Sequence, residues 1–337
     1  MTRPDAERSA RRSLAFGLSL ASAFLVLAGL LAGPEGWSPA AMFGADAQLI
    51  VGQIRAPRTL GAWLTGALLG LAGAIAQGLF RNPLADPFLL GSAAGASLGV
   101  VLVLAASALA GHAFSLAAAD SLARFGLVGA AFVGALLGVM LTLALARGAQ
   151  QTTRLLLSGI VVGVVLNAVS DLLTTAAPEA LRGKQVFMLG TTGFLGWESV
   201  AILAAGLAFT VPPAWRLARM LDALTLGEDT ARSLGLALPR WRAVLVLLMA
   251  MATGLAVSQA GLVAFVGLVS PHLVRRFAPA PHGYSLVASA CAGGVLLLAA
   301  DVMARTVIAP RELPVGVLTA VLGGSYLLWL LYRRRGT

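Results

Sequence analysis

Long apolar stretches recur along the chain, near 14–32, 59–79, 88–109, 125–146, 155–175, 198–215, 242–260, 262–274, 284–304 and 314–332. Polar clusters, arginines, glycines and prolines separate them. A helix needs about 20 apolar residues to cross about 30 Å of hydrocarbon at about 1.5 Å per residue, and most of the stretches come close to that. The pattern predicts an all-α, polytopic membrane protein of about ten transmembrane helices, a single transmembrane domain over 1–337. One stretch is too short to cross: residues 262–274 follow Gly261 directly and read as a half-helix meeting its predecessor inside the bundle.

Composition supports this reading. The 337 residues are 58% hydrophobic and 11% charged, where soluble domains carry about 25% charged residues. The net charge of +10 does not signal nucleic acid, because the basic residues are scattered between apolar spans with no interleaved aromatics. Cys291 is the only cysteine, which excludes a disulfide framework. Basic residues 3, 8, 11 and 12 precede the first apolar run. That run is longer than the apolar core of a signal peptide and no sharp cleavage pattern follows it, so it reads as the first membrane helix after a short basic N-terminus, 1–13.

Arginine placement orients the spans. With ten alternating spans, Arg81, Arg147, Arg154, Arg216, Arg219, Arg232, Arg240, Arg242, Arg275 and Arg276 join the basic ends of the chain on one side. The other side keeps Arg55, Arg58, Arg124, Arg182, Lys184, Arg305 and Arg311. The positive-inside rule then places both termini in the cytoplasm. The longest inner loop, 216–242, contains Leu224-Thr-Leu-Gly-Glu-Asp-Thr-Ala-Arg-Ser-Leu-Gly-Leu236. Thr225 and Glu228 have capping-box spacing, and Leu226, Ala231, Leu234 and Leu238 form a loose apolar stripe. Two readings fit: a surface connector, or a short cytoplasmic helix that docks a soluble partner.

Other segments carry local chemistry. Arg55-Ala-Pro-Arg58 opens the second span on the outer side, with Pro57 where a helix tolerates it. Cations are disfavoured at a helix N-terminus, so the pair reads either as anchors to lipid phosphate or as a docking site for a partner's carboxylates. In Gln77-Gly-Leu-Phe-Arg-Asn-Pro-Leu-Ala-Asp-Pro87, Asn82-Pro83 stops one helix and Asp86-Pro87 starts the next turn. Gly91, Gly95 and Gly99, at spacing four, read as a helix-packing face. His112, His272 and His282 lack metal-ligand spacing, and His272 reads as a residue bonding backbone at a helix break. Asp301 and Arg305 lie one helical turn apart. They form a salt bridge at the outer end of a span, or Asp301 serves a proton relay, or Arg305 is offered to a partner.

The only lysine, Lys184, is preceded by Gly183, but Pro178 stands at the first glycine position of a phosphate loop and Gln185 follows the lysine. The chain therefore does not bind ATP in that mode. No zinc-protease motif is present. A secondary transporter would need a membrane-embedded ionisable relay, for which Asp301 and Asp171 are the candidates; both fall near outer span ends.

The strings RAPRTL, RNPLADPFLLGSAAGAS, LTLGEDTARSLGL, GLVAFVGLVSPHLVRR, ADVMAR and ELPVGVLTAVLGG occur in this order over about 270 residues. In this set the chain resembles permeases of the iron-siderophore, haem and cobalamin uptake family of ABC importers, the type II importers. The resemblance implies a type II permease fold and a homodimer with the translocation path at its interface. It implies two ATPase subunits that bind ATP and Mg, no cofactor in this chain, and a periplasmic or lipoprotein substrate-binding protein outside, in a bacterial inner membrane. By matching motif positions, Arg55, Arg58 and Arg305 would face glutamates of the binding protein. Leu224, Leu226, Gly227, Glu228, Ala231, Leu234 and Gly235 would belong to the coupling helices that fit the ATPase. Asn82, Pro83 and Leu84 would lie at the cytoplasmic gate. Arg182 resembles a residue that in haem and cobalamin permeases precedes the outer segment, a candidate for the substrate path. Two departures stand out. Gly323-Gly-Ser-Tyr-Leu327 replaces the usual G-x-P-x-F, which implies a straighter last helix, and Phe187–Phe194 replaces a Trp-containing outer segment.

Overall fold

The computed structural model describes residues 3–34, 36–39, 43–44, 46–109, 121–146, 151–233, 235 and 237–334. Within them the chain is mainly helical, and its one strand pairing is a short antiparallel bridge, Ala32–Gly33 with Gly36–Trp37. Ten helices correspond to the ten apolar stretches: α1 (Arg3–Leu31), α2 (Ala56–Phe80), α3 (Ser92–Leu109), α4 (Ser121–Leu145), α5 (Thr152–Ala176), α7 (Trp197–Arg216), α10 (Leu238–Ala260), α11 (Val266–Phe277), α12 (His282–Thr306) and α13 (Val315–Arg334). Three more are short: α6 (Pro178–Leu189), α8 (Ala218–Thr225) and α9 (Glu228–Ser233). By length and composition seven helices among the described residues can cross a membrane, with α3 and α13 shorter and apolar.

Helix α1 begins at Arg3, and Glu7 accepts from Arg11 at 3.3 Å one turn on. The basic N-terminal segment is thus helical and continuous with the first apolar run.

Helix α2 sits at the centre, buried on nearly all sides, because its small residues let neighbours touch backbone. A Cβ on Gly66 would lie 2.2 Å from the Gly293 carbonyl of α12, and one on Gly70 2.1 Å from the Ser289 carbonyl. A Cβ on Gly73 would overlap the Gly267 carbonyl of α11 at 1.6 Å. The expected glycine face of α3 packs likewise on α4, with Gly95 against Gly134 and Gly99 against Ala130, each at 2.1 Å from a built Cβ to a carbonyl oxygen. This is how helices associate in lipid, where dispersion and close approach replace the hydrophobic effect.

The break after α10 is a true re-entrant feature. Gly261 takes φ +70° and Phe265 φ +68°, which turns the chain out of one helix and into α11. The extended backbone between them is paired: Leu262 N donates to Phe187 O of α6 at 2.9 Å, and Thr191 N donates to Ala260 O at 2.8 Å. Irregular backbone at membrane depth survives only when protein satisfies it. Helix α13 runs unbroken to Arg334, as the missing proline implies, and its Gly323 leaves the notch into which Phe265 packs. His272 does make an edge contact with the Tyr326 ring at 5.9 Å.

Candidate functional site

At the end of the bundle where α2 begins and α12 ends, Asp301 is fully buried and anchors a charge cluster. Its Oδ1 accepts from Arg58 Nε at 3.1 Å and from Thr192 Oγ1 at 2.5 Å. Its Oδ2 pairs with Arg305 Nη2. Arg58 Nη1 also donates to Glu312 Oε1 at 2.9 Å. The cluster thus clamps α2, α12, the segment after α6 and the loop before α13. The relay reading of Asp301 does not suit this geometry: both oxygens are engaged by guanidinium groups in a fixed network.

Arg55 and Arg305 have a structural task that local sequence hides. Arg55 Nη1 donates to the carbonyls of Leu30 and Leu31, at 3.1 and 3.2 Å, and its Nη2 donates to Ser38 Oγ at 2.6 Å. Arg305 Nη1 donates to the carbonyls of Gly29 and Ala32, at 3.0 and 3.3 Å. The carbonyl acceptors, residues 29–32, lie at the C-terminal end of α1, where cations are also favoured by the helix dipole. The expectation that stability explains the Arg55/Arg58 pair poorly is therefore corrected: Arg55 serves the end of α1, a different helix, and Arg58 pairs with Asp301 and Glu312. Arg55 and Arg305 are buried, 6% and 1% exposed, so neither stands free on the outer surface. Arg58 is nearest to it, through its shared partner Glu312, whose side chain is 31% exposed. Lys184 pairs with Asp171 at 2.5 Å, and Arg182 is exposed on α6.

At the opposite end of the bundle Arg81 takes the left-handed conformation, φ 49°, and the chain turns sharply. Asn82 Oδ1 accepts from Leu84 N at 2.9 Å, and Asp86 caps the next turn by accepting from Phe88 N at 2.8 Å. Asn82, Pro83 and Leu84 are exposed. Burial pushes the Asp86 carboxyl up to about 6, against the opposing Phe88 N–H.

The inner loop folds as two short helices, so the capping-box expectation is corrected. Thr225 ends α8 and donates to Asp222 O at 2.6 Å, while Gly227, at φ +106°, separates α8 from α9. Glu228 does not bond back to residue 225. It accepts from Arg242 Nη2 at 2.5 Å, Arg232 Nη2 at 3.3 Å and Thr152 Oγ1 at 3.4 Å. The buried Arg242 wins because it has no water to turn to. Leu224, Ala231 and Leu238 are buried, whereas Leu226 is 66% exposed and Gly235 is exposed. The stripe thus holds in part, and Leu234 lies outside the described residues.

Desolvation alone would raise the Glu228 pKa, but the hydrogen bond and charge of Arg242, helped by Arg232 and Arg81, hold it below the usual Glu range. A depressed folded pKa contributes stability that is full above the unfolded value and lost as pH falls through the folded one. Acidification below the ordinary Glu range is therefore expected to loosen α9 from α10, and Glu228→Gln to remove that acid limb. Hydrogen exchange of residues 228–242 against pH checks this; an unchanged pH profile in the variant would contradict it.

Of the residues singled out from sequence, the structure brings Arg58, Arg305 and Asp301 together. Thr192 and Glu312 join them without having been singled out. Glu312 had a signal, since a carboxylate beside a membrane re-entry needs a partner; Thr192 had none. Helix α6 was also missed, although Pro178 at its start, Glu179 in its first turn and Gly190 at its end are helix-boundary signals.

The comparisons with known proteins agree over the full length. The model of the FecCD transport family matches residues 20–333. The chain is 38% identical over 336 residues to the vitamin B12 import system permease protein BtuC of Klebsiella pneumoniae, covering 98% of this chain and 96% of that one. It is 40% identical over 332 residues to the protein of the same name from Pectobacterium atrosepticum, covering 97% and 96%. Among solved structures, a metal-chelate type ABC transporter in an inward-facing conformation superposes with TM-score 0.83 at 25% identity, covering 96% of this chain and 99% of that one. PsaBC from Streptococcus pneumoniae shares the fold more loosely, with TM-score 0.53 at 16% identity over 80% of this chain.

Proposed function

The chain belongs to the FecCD transport family, and on that premise we propose that it is the permease subunit of a binding-protein-dependent ABC importer for cobalamin or a related metal chelate. The observation that carries this is the family match over residues 20–333. Cobalamin is favoured as cargo by the relatives named above; ferric siderophore and haem are the alternatives. The chain is a multi-pass bacterial inner-membrane protein with no catalytic step of its own, and both termini are cytoplasmic.

Two copies enclose the path. Helix α5 exposes Leu157, Ile160, Val161, Val164, Val165 and Leu172, and buries only a narrow stripe. A helix apolar all round needs cover on more than one side, which lipid and a second copy together supply. Two partner ATPases bind ATP and Mg. Their closure pushes on α8 and α9 through Leu226 and the glycine-flanked turns, and the inner loop Asn82-Pro83-Leu84 opens or shuts as the two permeases rock against each other. Arg182, exposed on α6, lies on the path side of this scheme. The apolar wall, rich in Gly and Ala, lets a large rigid cargo slip rather than be gripped.

A substrate-binding protein docks outside around Arg58, with Arg55 and Arg305 acting beneath the surface rather than as direct contacts. Arg58 is the member that offers charge, and the other two hold α1 in place beneath it. Arg58→Gln is expected to weaken binding-protein affinity on the order of tenfold and to increase its dissociation rate, while Arg305 still neutralises Asp301. Surface plasmon resonance on nanodisc-embedded complex measures this. Affinity unchanged in the variant would remove Arg58 from the docking surface.

A further inference from the structure

At the foot of α7 lies a cavity of about 410 Å³, lined by Trp215, Arg216, Arg219, Asp222, Pro281 and Gly283 together with Ala218. It stands at the bundle end that carries Arg81 and the inner loop, since Gly78 near the end of α2 touches both His282 and Leu221. Asp222 is already engaged: its Oδ1 accepts from His282 N at 2.9 Å and meets His282 Nδ1 at 2.7 Å. Arg216 and Arg219 are exposed, and among the described residues neither has a carboxylate partner. The face of α7 above them is apolar and exposed: Ala201, Ala204, Ala205, Ala208, Phe209 and Pro212 lie on one stripe that ends in Trp215. An indole marks the level of the head groups, and arginines just beyond an apolar face attract anionic lipid.

We propose that this cavity binds the phosphate head group of an anionic phospholipid, with Arg216 and Arg219 on the phosphate, Trp215 at the glycerol level and the acyl chains along the α7 stripe. A soluble phosphate compound would use the arginines but leave the stripe and the indole without purpose. A protein partner would cover the arginines but would not follow the stripe into the membrane. The site rests on the orientation and on the placing of α8 in the proposed function, but not on the cargo.

The test is native mass spectrometry of the purified protein titrated with phosphatidylglycerol or phosphatidylcholine. Wild type is compared with Arg216→Gln/Arg219→Gln and with a charge-matched control, Arg240→Gln/Arg276→Gln. Wild type and control are expected to prefer phosphatidylglycerol on the order of tenfold, and the cavity variant to lose that preference at unchanged thermal stability. Should the cavity variant fail to fold, Trp215→Ala replaces it and is expected to lower phosphatidylglycerol retention. No preference in wild type, or equal loss in the control, would overturn the site. Displacement of the lipid by millimolar inorganic phosphate would make it a free-phosphate site instead. Loss of ATPase co-purification with lipid retention intact would make it a partner surface; either result overturns the proposal.

Discussion

Asp301→Asn is expected to destabilise the protein by about 3–5 kcal/mol, the cost of breaking a buried ion pair from one side. The side chain is fully buried, and two guanidinium groups and a hydroxyl converge on it. Without its charge, Arg305 stays buried on α1's last carbonyls with nothing to neutralise it, and Arg58 keeps only the partly exposed Glu312. The damage spreads because the cluster ties four segments together. Arg305→Met added to Asp301→Asn removes the stranded charge and is expected to recover part of the loss, although α1 then loses a cap. Denaturant or SDS titration in mixed micelles reads both effects. A change below about 1 kcal/mol in the single variant would mean that water reaches the cluster and that the pairs are weak.

Gly73→Ala is expected to have the second large effect. The new Cβ would stand 1.6 Å from the Gly267 carbonyl, with the atoms behind it also backbone. No rotamer change relieves such an overlap, so α2 and α11 must separate. Overpacking in cores costs about 1–3 kcal/mol, and a backbone clash belongs at the top of that range or beyond it. The separation would also strain the hydrogen bond from Gln77 Nε2 to Leu268 O, 3.0 Å, and the contact of Gln77 with Arg275. Helix α11 hangs from the re-entrant turn, so transport is expected to fall more than tenfold, with a lower melting temperature. Gly17→Ala is the control: no atom lies within 4 Å of its built Cβ, and helix propensity favours the alanine by about 1 kcal/mol. Equal melting temperatures for Gly73→Ala and wild type would contradict the packing described.

Both sites show what a sequence can and cannot display. Span positions were legible because lipid demands unbroken apolar length. The turn at Asn82-Pro83 and the short α11 were legible because Gly and Pro act locally. The glycine face of α3 was legible from spacing alone. The work of Arg55 and Arg305 was not, since their acceptors lie 24 or more residues away on α1, and pairing at that range follows from the fold. Thr225 and Glu228 misled for the opposite reason. A local capping box was available, but Glu228 reaches Arg242, 14 residues on, where the charge needs it more. Helix α1's early start was masked by its arginines, which mark topology without breaking a helix.

Uptake by reconstituted proteoliposomes, containing this chain with its ATPase and binding protein, tests the central claim most directly. Cobalamin, haem and a ferric siderophore are supplied in turn, with and without internal ATP, and with and without an imposed proton gradient. The account predicts accumulation of one cargo, cobalamin first among them, that requires ATP, the ATPase and the binding protein together. Accumulation driven by the proton gradient in the absence of any ATPase would contradict it.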